Sequence, residues 1–327
     1  MIGKIARRRF AAFAGGAIAL GPLVASAQPY PAKPIRLIIG FAPGGGSDIT
    51  ARILTRRMTE LLGQSFVIDN KPGAGGNIAA ELVSKAAPDG YTLHLAGVGP
   101  LVVSPHIGAK MGYDPLKDLA PVGLAVHFNN VLVVHPSVPA RTVHDYIGEA
   151  KKRSGGMDYG TSGIASAGHL SGELFRFLTG APLVHIAYKG GGPAMSDLVA
   201  GQIPSMFATL PSAAEQIKSG KIRALAVTGR KRSASFPELP TIAELGWPEY
   251  EAVNWYSLVF PVGVSPGAIE RINAALKTTL ADPEIVAALA QQGIEPFYST
   301  PDEHAAYLRR ESAQWASVVK RAGIRAE

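Results

Sequence analysis

Two serine-bearing turns carry the residue types that could do chemistry. Ser47 and Asp48 follow the triplet Gly44, Gly45 and Gly46, and Ser162 and Ser166 lie in the small-residue run 161–168, just before His169. Three chemistries suit such residues. A serine with a histidine could serve as nucleophile and base. A glycine-rich turn opening a helix could cradle a nucleotide. The same turn could hold a plain anion, since its free N–H groups and the positive end of the helix dipole point at whatever fills it.

Spacing separates the three. A nucleophile elbow needs glycine two residues before its serine, and Ile164 stands there before Ser166. The serines fit better as hydrogen-bond donors to an anion or as helix caps, and an exported esterase-like hydrolase using Ser166 and a histidine is the alternative. The glycine runs at 44–46 and 73–75 lack the third glycine of a dinucleotide loop, with Ile49 and Ile78 at that position, and no Gly-Lys-Ser/Thr loop exists. The eight histidines show no helical pair spacing and the chain has no cysteine, so no metal site and no cofactor is expected. His169 is the histidine best placed for a ligand role. Asp48 facing an anion would repel it, so a structuring role as cap or loop brace is preferred. Lys189 either attracts a carboxylate by charge or is a solvated surface residue.

The elements around these residues read as α/β. A β-branched run at 35–39 is the kind of strand a parallel sheet buries on both faces. The glycine turn follows, then a helix capped by Ser47 or Asp48, with Ile49, Ile53, Leu54, Met58, Leu61 and Leu62 at helical spacing. A strand at 65–69 leads into a second glycine-rich turn and a helix capped by Asn77. A strand at 91–96 ends in a third small-residue turn containing Gly97 and Gly99. Ligands of open α/β sheets sit outside such carboxyl ends. Residues 119–135 read as one long strand passing to a second lobe. There the alternation resumes: helix 142–153, strand 157–160, the serine turn with Ala165 and Ala167, helix 169–178, strand 183–188, helix through 199, strand 203–210, a short helix to 219, strand 222–227 and a short helix 240–245. A second long strand at 252–260 carries the chain back to helices at 266–280, 283–292 and 301–322, with a short strand at 294–298. Lobe one is thus expected at 28–126 plus 253–327 and lobe two at 127–252.

The first 27 residues read as a leader. Lys4, Arg7, Arg8 and Arg9 precede an apolar stretch, and Ala25, Ser26 and Ala27 form a small-x-small cleavage site. The arginine run followed by Phe10 fits twin-arginine export and ordinary secretion equally. The leader holds four of the seven excess positive charges and no acid, leaving +3 on the remainder. That is no footprint for nucleic acid and is compatible with an anionic small molecule.

The ordered motifs resemble one family over the whole mature chain. They are the first glycine loop through Asp48, the run 70–77, Pro88-Asp89-Gly90-Tyr91, Gly168-His169-Leu170, the turn 188–194, the strand 220–228 and Pro240-Thr241-Ile242-Ala243-Glu244. This sequence resembles the substrate-binding receptors of tripartite tricarboxylate transporters, the Bug receptors. The resemblance implies a type II-like periplasmic binding protein of two lobes, each a mostly parallel sheet flanked by helices. It implies a monomer without catalytic activity that closes on a small carboxylate and works with membrane subunits of the transporter. It implies that Phe41 covers the ligand and that the 162–169 turn supplies amides and hydroxyls, alongside Gly44, Gly45, Ser47, Asp48, Gly97, Gly99 and Thr209. One departure stands out: where the family often has a polar Asp-Asn pair, this chain has Ala208 and Thr209. That disfavours a ligand with a distal amine and favours a dicarboxylate or a less polar acid.

Overall fold

The computed structural model describes residues 30–326; the leader lies outside them. Strand β1 (Ile35–Ile39) is buried, and the adjacent glycine turn feeds α1 (Gly46–Leu62), whose Leu54, Met58 and Leu62 pack on the sheet. β2 (Phe66–Asn70), α2 (Asn77–Ser84) and β3 (Thr92–Gly97) complete a parallel β2-β1-β3 ladder. Next comes β4 (Leu119–Val134), sixteen residues long. The second lobe then alternates α3 (Val143–Lys152), β5 (Met157–Thr161), α4 (Ala167–Thr179), β6 (Leu183–Ala187), α5 (Gly191–Val199), β7 (Ser205–Thr209), α6 (Leu210–Lys218) and β8 (Arg223–Val227). Strand β9 (Val253–Pro261) returns to α7 (Pro266–Ala281), α8 (Pro283–Gln291), β10 (Ile294–Pro296) and α9 (Pro301–Ala322).

The sheet order is β2-β1-β3-β9-β4-β7-β5-β6, with β8 and β10 also on β4. β4 belongs to both halves. Its residues from Leu119 to Asn129 pair antiparallel with β9, and those from Asn130 to Val134 pair antiparallel with β7 and, from Val131, with β8. β7, β5 and β6 form the second parallel ladder. The two-lobe α/β class expected from the sequence is therefore the one adopted.

Strand alternation distributes the cores. Leu37 and Ile39 face one cluster with Ile272 and Leu276 of α7, while Ile38 faces another with Trp255 of β9 and Leu308 and Trp315 of α9. The C-terminal helices thus cover the sheet that holds β1.

Several local expectations are corrected. α1 starts at Gly46 with Gly45 as N-cap and no side-chain cap, so neither Ser47 nor Asp48 caps it. Asn77 is the first residue of α2 behind an N-cap Gly76, and its Oδ1 accepts the Tyr113 hydroxyl instead. After β3 the chain does not turn loosely but coils through a π turn, Gly99–Val103. Residues 240–245 form turns rather than a helix: Thr241 and Glu244 exchange the bonds of a helix start, yet Gly246 and Pro248 follow at once and nothing propagates. α4 begins two residues earlier than expected because Ser166 is its cap, with Oγ accepting the His169 N–H at 3.3 Å.

Candidate functional site

The carboxyl ends of β1, β3, β5 and β7 meet in one cleft, floored by β9. Phe41, Gly45, Ser47, Gly97, Gly99, Ser162, Ser166, Ala167 and Thr209 line it, nine of the residues singled out from the sequence. Gly44, Asp48, Ala165 and His169 do not line it: Gly44 is exposed, and the other three are buried. The lobes are closed: the cavity is about 20 Å³, room for one or two waters. A wider groove of about 680 Å³ lies behind the crossing strands, lined by residues such as His127, Lys231, Glu295 and Trp315, and among the described residues no helix N-terminus lines it.

Two helix ends converge on the cleft. The first-turn amides of Gly46 and Ser47 in α1, and of Ala167 and Gly168 in α4, have no acceptor among the described residues. These are the donors a helix leaves over, and they favour an anion. Around them stand neutral hydroxyls. A Cβ placed on Gly46 would lie 2.7 Å from Thr209 Oγ1 and 3.1 Å from the Tyr256 hydroxyl. Ser47 Oγ is buried near the Tyr256 hydroxyl and meets no partner at full hydrogen-bond geometry among the described residues. Burial pushes the Tyr256 phenol pKa up, with the Ser47 hydroxyl opposing, so it stays protonated. Asn254 Oδ1 takes the Trp255 N–H at 2.9 Å, which leaves its Nδ2 as a donor. Among the described residues, no Lys, Arg, His, Asp or Glu lines the cavity.

Asp48 braces rather than lines. Its carboxylate accepts the Gly44 N–H at 3.2 Å and Arg52 at 3.0 and 3.1 Å. Asn70 Nδ2 ties the same turn through Phe41 O at 2.9 Å. Gly44 needs no side chain because its φ is +78°.

Nucleophilic catalysis finds no support. Ser166 Oγ is engaged by the His169 main chain, and His169 Nδ1 accepts the Ala165 N–H at 3.2 Å, its ring stacked on His185. Burial, with the Arg176 charge, lowers His169 to about 4; burial, with the His169 charge, lowers His185 to about 3.

Gly168 falls within the 162–169 turn expected to supply amides; Gly46, Val98, Pro100, Gly191, Asn254 and Tyr256 were not singled out as site residues from the sequence. The last two carry a signal in retrospect: they are polar residues of one parity on β9, whose other parity holds Trp255.

Comparison with known proteins places this geometry in context. The sequence pattern of the tripartite tricarboxylate transporter family receptor matches residues 50–324. Protein BugT of Bordetella pertussis is 38% identical over 301 residues, covering 92% of each chain. The solved structure of R. palustris Rpa4515 with adipate superposes with TM-score 0.88 at 36% identity, covering 90% of this chain and 99% of that one. MatC from Rhodopseudomonas palustris with bound malate gives TM-score 0.85 at 28% identity, covering 89% of this chain and all of the other. The chain belongs to the tripartite tricarboxylate transporter receptor family.

Proposed function

We propose that this receptor-family member captures a small dicarboxylate in the periplasm and delivers it to the membrane subunits of a tripartite tricarboxylate-type transporter. The observation that carries the reading is the pairing of two facing helix N-termini, with unclaimed amides, across a cavity without charged side chains. An anion is the guest that such donors favour, and hydroxyls at Ser47 and Tyr256 suit a second oxygen-rich end better than an ammonium, while Thr209 Oγ1 donates to Ser212 Oγ. Rpa4515 with adipate and MatC with malate hold guests of that class. No step of bond making is assigned to the protein.

In this reading Phe41 closes over the guest. Gly45, Ser47, Gly97, Gly99, Ser162, Ser166, Ala167 and Thr209 contact it, and Gly44, Asp48, Ala165 and His169 hold those contacts in place. The lobes divide at 28–126 plus 253–327 and 127–252, with the hinge inside β4 and at the start of β9. The leader is cleaved near Ala27, and the mature receptor acts as a monomer.

Thermal unfolding of the mature chain with adipate, malate, glutamate and benzoate tests this. A tenfold excess over Kd contributes about 1.4 kcal/mol of stability, and the diacids should raise Tm above glutamate and benzoate. No shift with any acid overturns the reading.

A further inference from the structure

Behind the serine turn lies a stack of three rings. Tyr159 of β5, His185 of β6 and His169 of α4 follow one another, with centroids 5.2 Å apart for the first pair and 4.2 Å for the second, the histidine planes inclined by only 27°. The outermost ring holds the turn. Ala165 donates its N–H to His169 Nδ1 at 3.2 Å. Ala165 itself is left-handed, φ +65°, a conformation residues with a side chain avoid. Its carbonyl meets the first lobe: a Cβ on Gly99 would stand 2.8 Å from it.

An imidazole nitrogen that accepts must be unprotonated, so the His169 proton is on Nε2. A proton at Nδ1 would set donor against donor. The inner ring is fixed separately, with His185 Nε2 2.7 Å from Thr161 Oγ1, and Thr161 Oγ1 in turn accepts the Gly163 N–H at 3.1 Å. Glu173 and Arg176 of α4 are the charged groups beside the stack; Glu173 accepts the Tyr159 hydroxyl at 2.7 Å and pairs with Arg176.

We propose that His169 is a positioning residue for ligand capture: its neutral Nδ1 keeps Ala165 turned toward the first lobe, so that the Ala167 and Gly168 amides are presented to the cleft. His185 is the platform that fixes the ring. The inference rests on the receptor reading above and deepens it, naming the atom of His169 through which that support acts.

The mature chain and two variants test it. His169→Asn supplies an acceptor oxygen near the place of Nδ1 and does not titrate. His169→Phe keeps a ring on His185 and removes the acceptor. Adipate and malate are the probes. At pH 7, His169→Phe should bind the acid that the unaltered protein binds at least tenfold more weakly, and His169→Asn within threefold. Between pH 6 and 4 the unaltered protein should lose affinity more steeply than His169→Asn; protonation of the acid affects both alike, so their ratio isolates the histidine. Amide exchange at Ala165, read without any acid, should be slow in the unaltered protein and His169→Asn and fast in His169→Phe. Equal affinity and equal exchange in His169→Phe, or an Asn variant that behaves like Phe, overturns the proposal. If His169→Phe does not fold, the pH ratio for His169→Asn decides, and a flat ratio overturns it. Failure of both acids to bind the unaltered protein would overturn the receptor reading, while Ala165 exchange still judges the role of His169.

Discussion

The amide of Ala42 donates to the carbonyl of Lys189 at 3.0 Å, a main-chain hydrogen bond that joins the loop after β1 to the loop after β6 across the cleft. It lies beside Gly192, where a Cβ would stand 2.3 Å from the Pro43 carbonyl. Closure therefore depends on glycine at a point where the second lobe touches the first.

Gly192→Ala separates closing from folding. The residue is the second of α5, in its first turn, where alanine is favoured over glycine by less than the ~1 kcal/mol of a helix interior. Tm should hold or rise. Affinity for the diacid should fall about tenfold, or ~1.4 kcal/mol, and small-angle scattering with the acid present should show a more open particle than the unaltered protein.

Ionic strength probes what holds the guest. With no charged side chain lining the cavity, Kd should change less than about threefold between low and physiological salt, because buried dipoles are screened far less than exposed charges. Calorimetry at about 20 and about 300 mM salt, roughly a fourfold change in screening length, would read this; a steep loss would mean that a cation outside the cavity carries the binding.

Ser166→Ala removes the cap of α4. The helix should lose about 1 kcal/mol, seen as a lower Tm, and the acid should bind more weakly because the Ala167 and Gly168 amides fray. Release of p-nitrophenol from its acetate should stay at background before and after the change; turnover that vanishes with Ser166 would restore the hydrolase.

Acid should unfold this protein steeply. Burial lowers His94 to about 4 and His304 to about 3, as it does His169 and His185. A histidine depressed in the folded state is unprotonated there while its unfolded form takes a proton below about 6.5. Stability is thus intact above that pH and falls as pH drops toward the folded values, by up to about 1.4 kcal/mol per pH unit for each histidine. Both nitrogens of His304 are buried without partners among the described residues, so His304→Leu should cost little at pH 7 and flatten the decline by about one proton. Tm measured from pH 7 to 4 checks the slope.

The fold and the site differed in how far the residues announced them. Elements with their own punctuation were legible: α9 runs over 301–322 as expected because Thr300 and Glu303 form a reciprocal cap at one end and Gly323 turns left-handed at the other. The start of α1 was not, since a glycine N-cap without a side-chain bond leaves no letter to read, and Asp48, the residue that looked like a cap, spends its carboxylate on Gly44 and Arg52. Glycine turns marked both faces of the cleft because close main-chain approach demands them. Its floor stayed hidden: whether Asn254 and Tyr256 or Val253 and Trp255 face the cleft depends on the register of β9 against β3 and β4, a long-range pairing that no local pattern fixes.

The tightness of the cleft has a kinetic consequence. A cavity of about 20 Å³ cannot hold a six-carbon acid, so uptake must wait for the two sides of the cleft to part. At high solute the observed capture rate should level off at the frequency of that parting, and a receptor of this build would then meter its cargo by its own breathing rather than by how much cargo surrounds it.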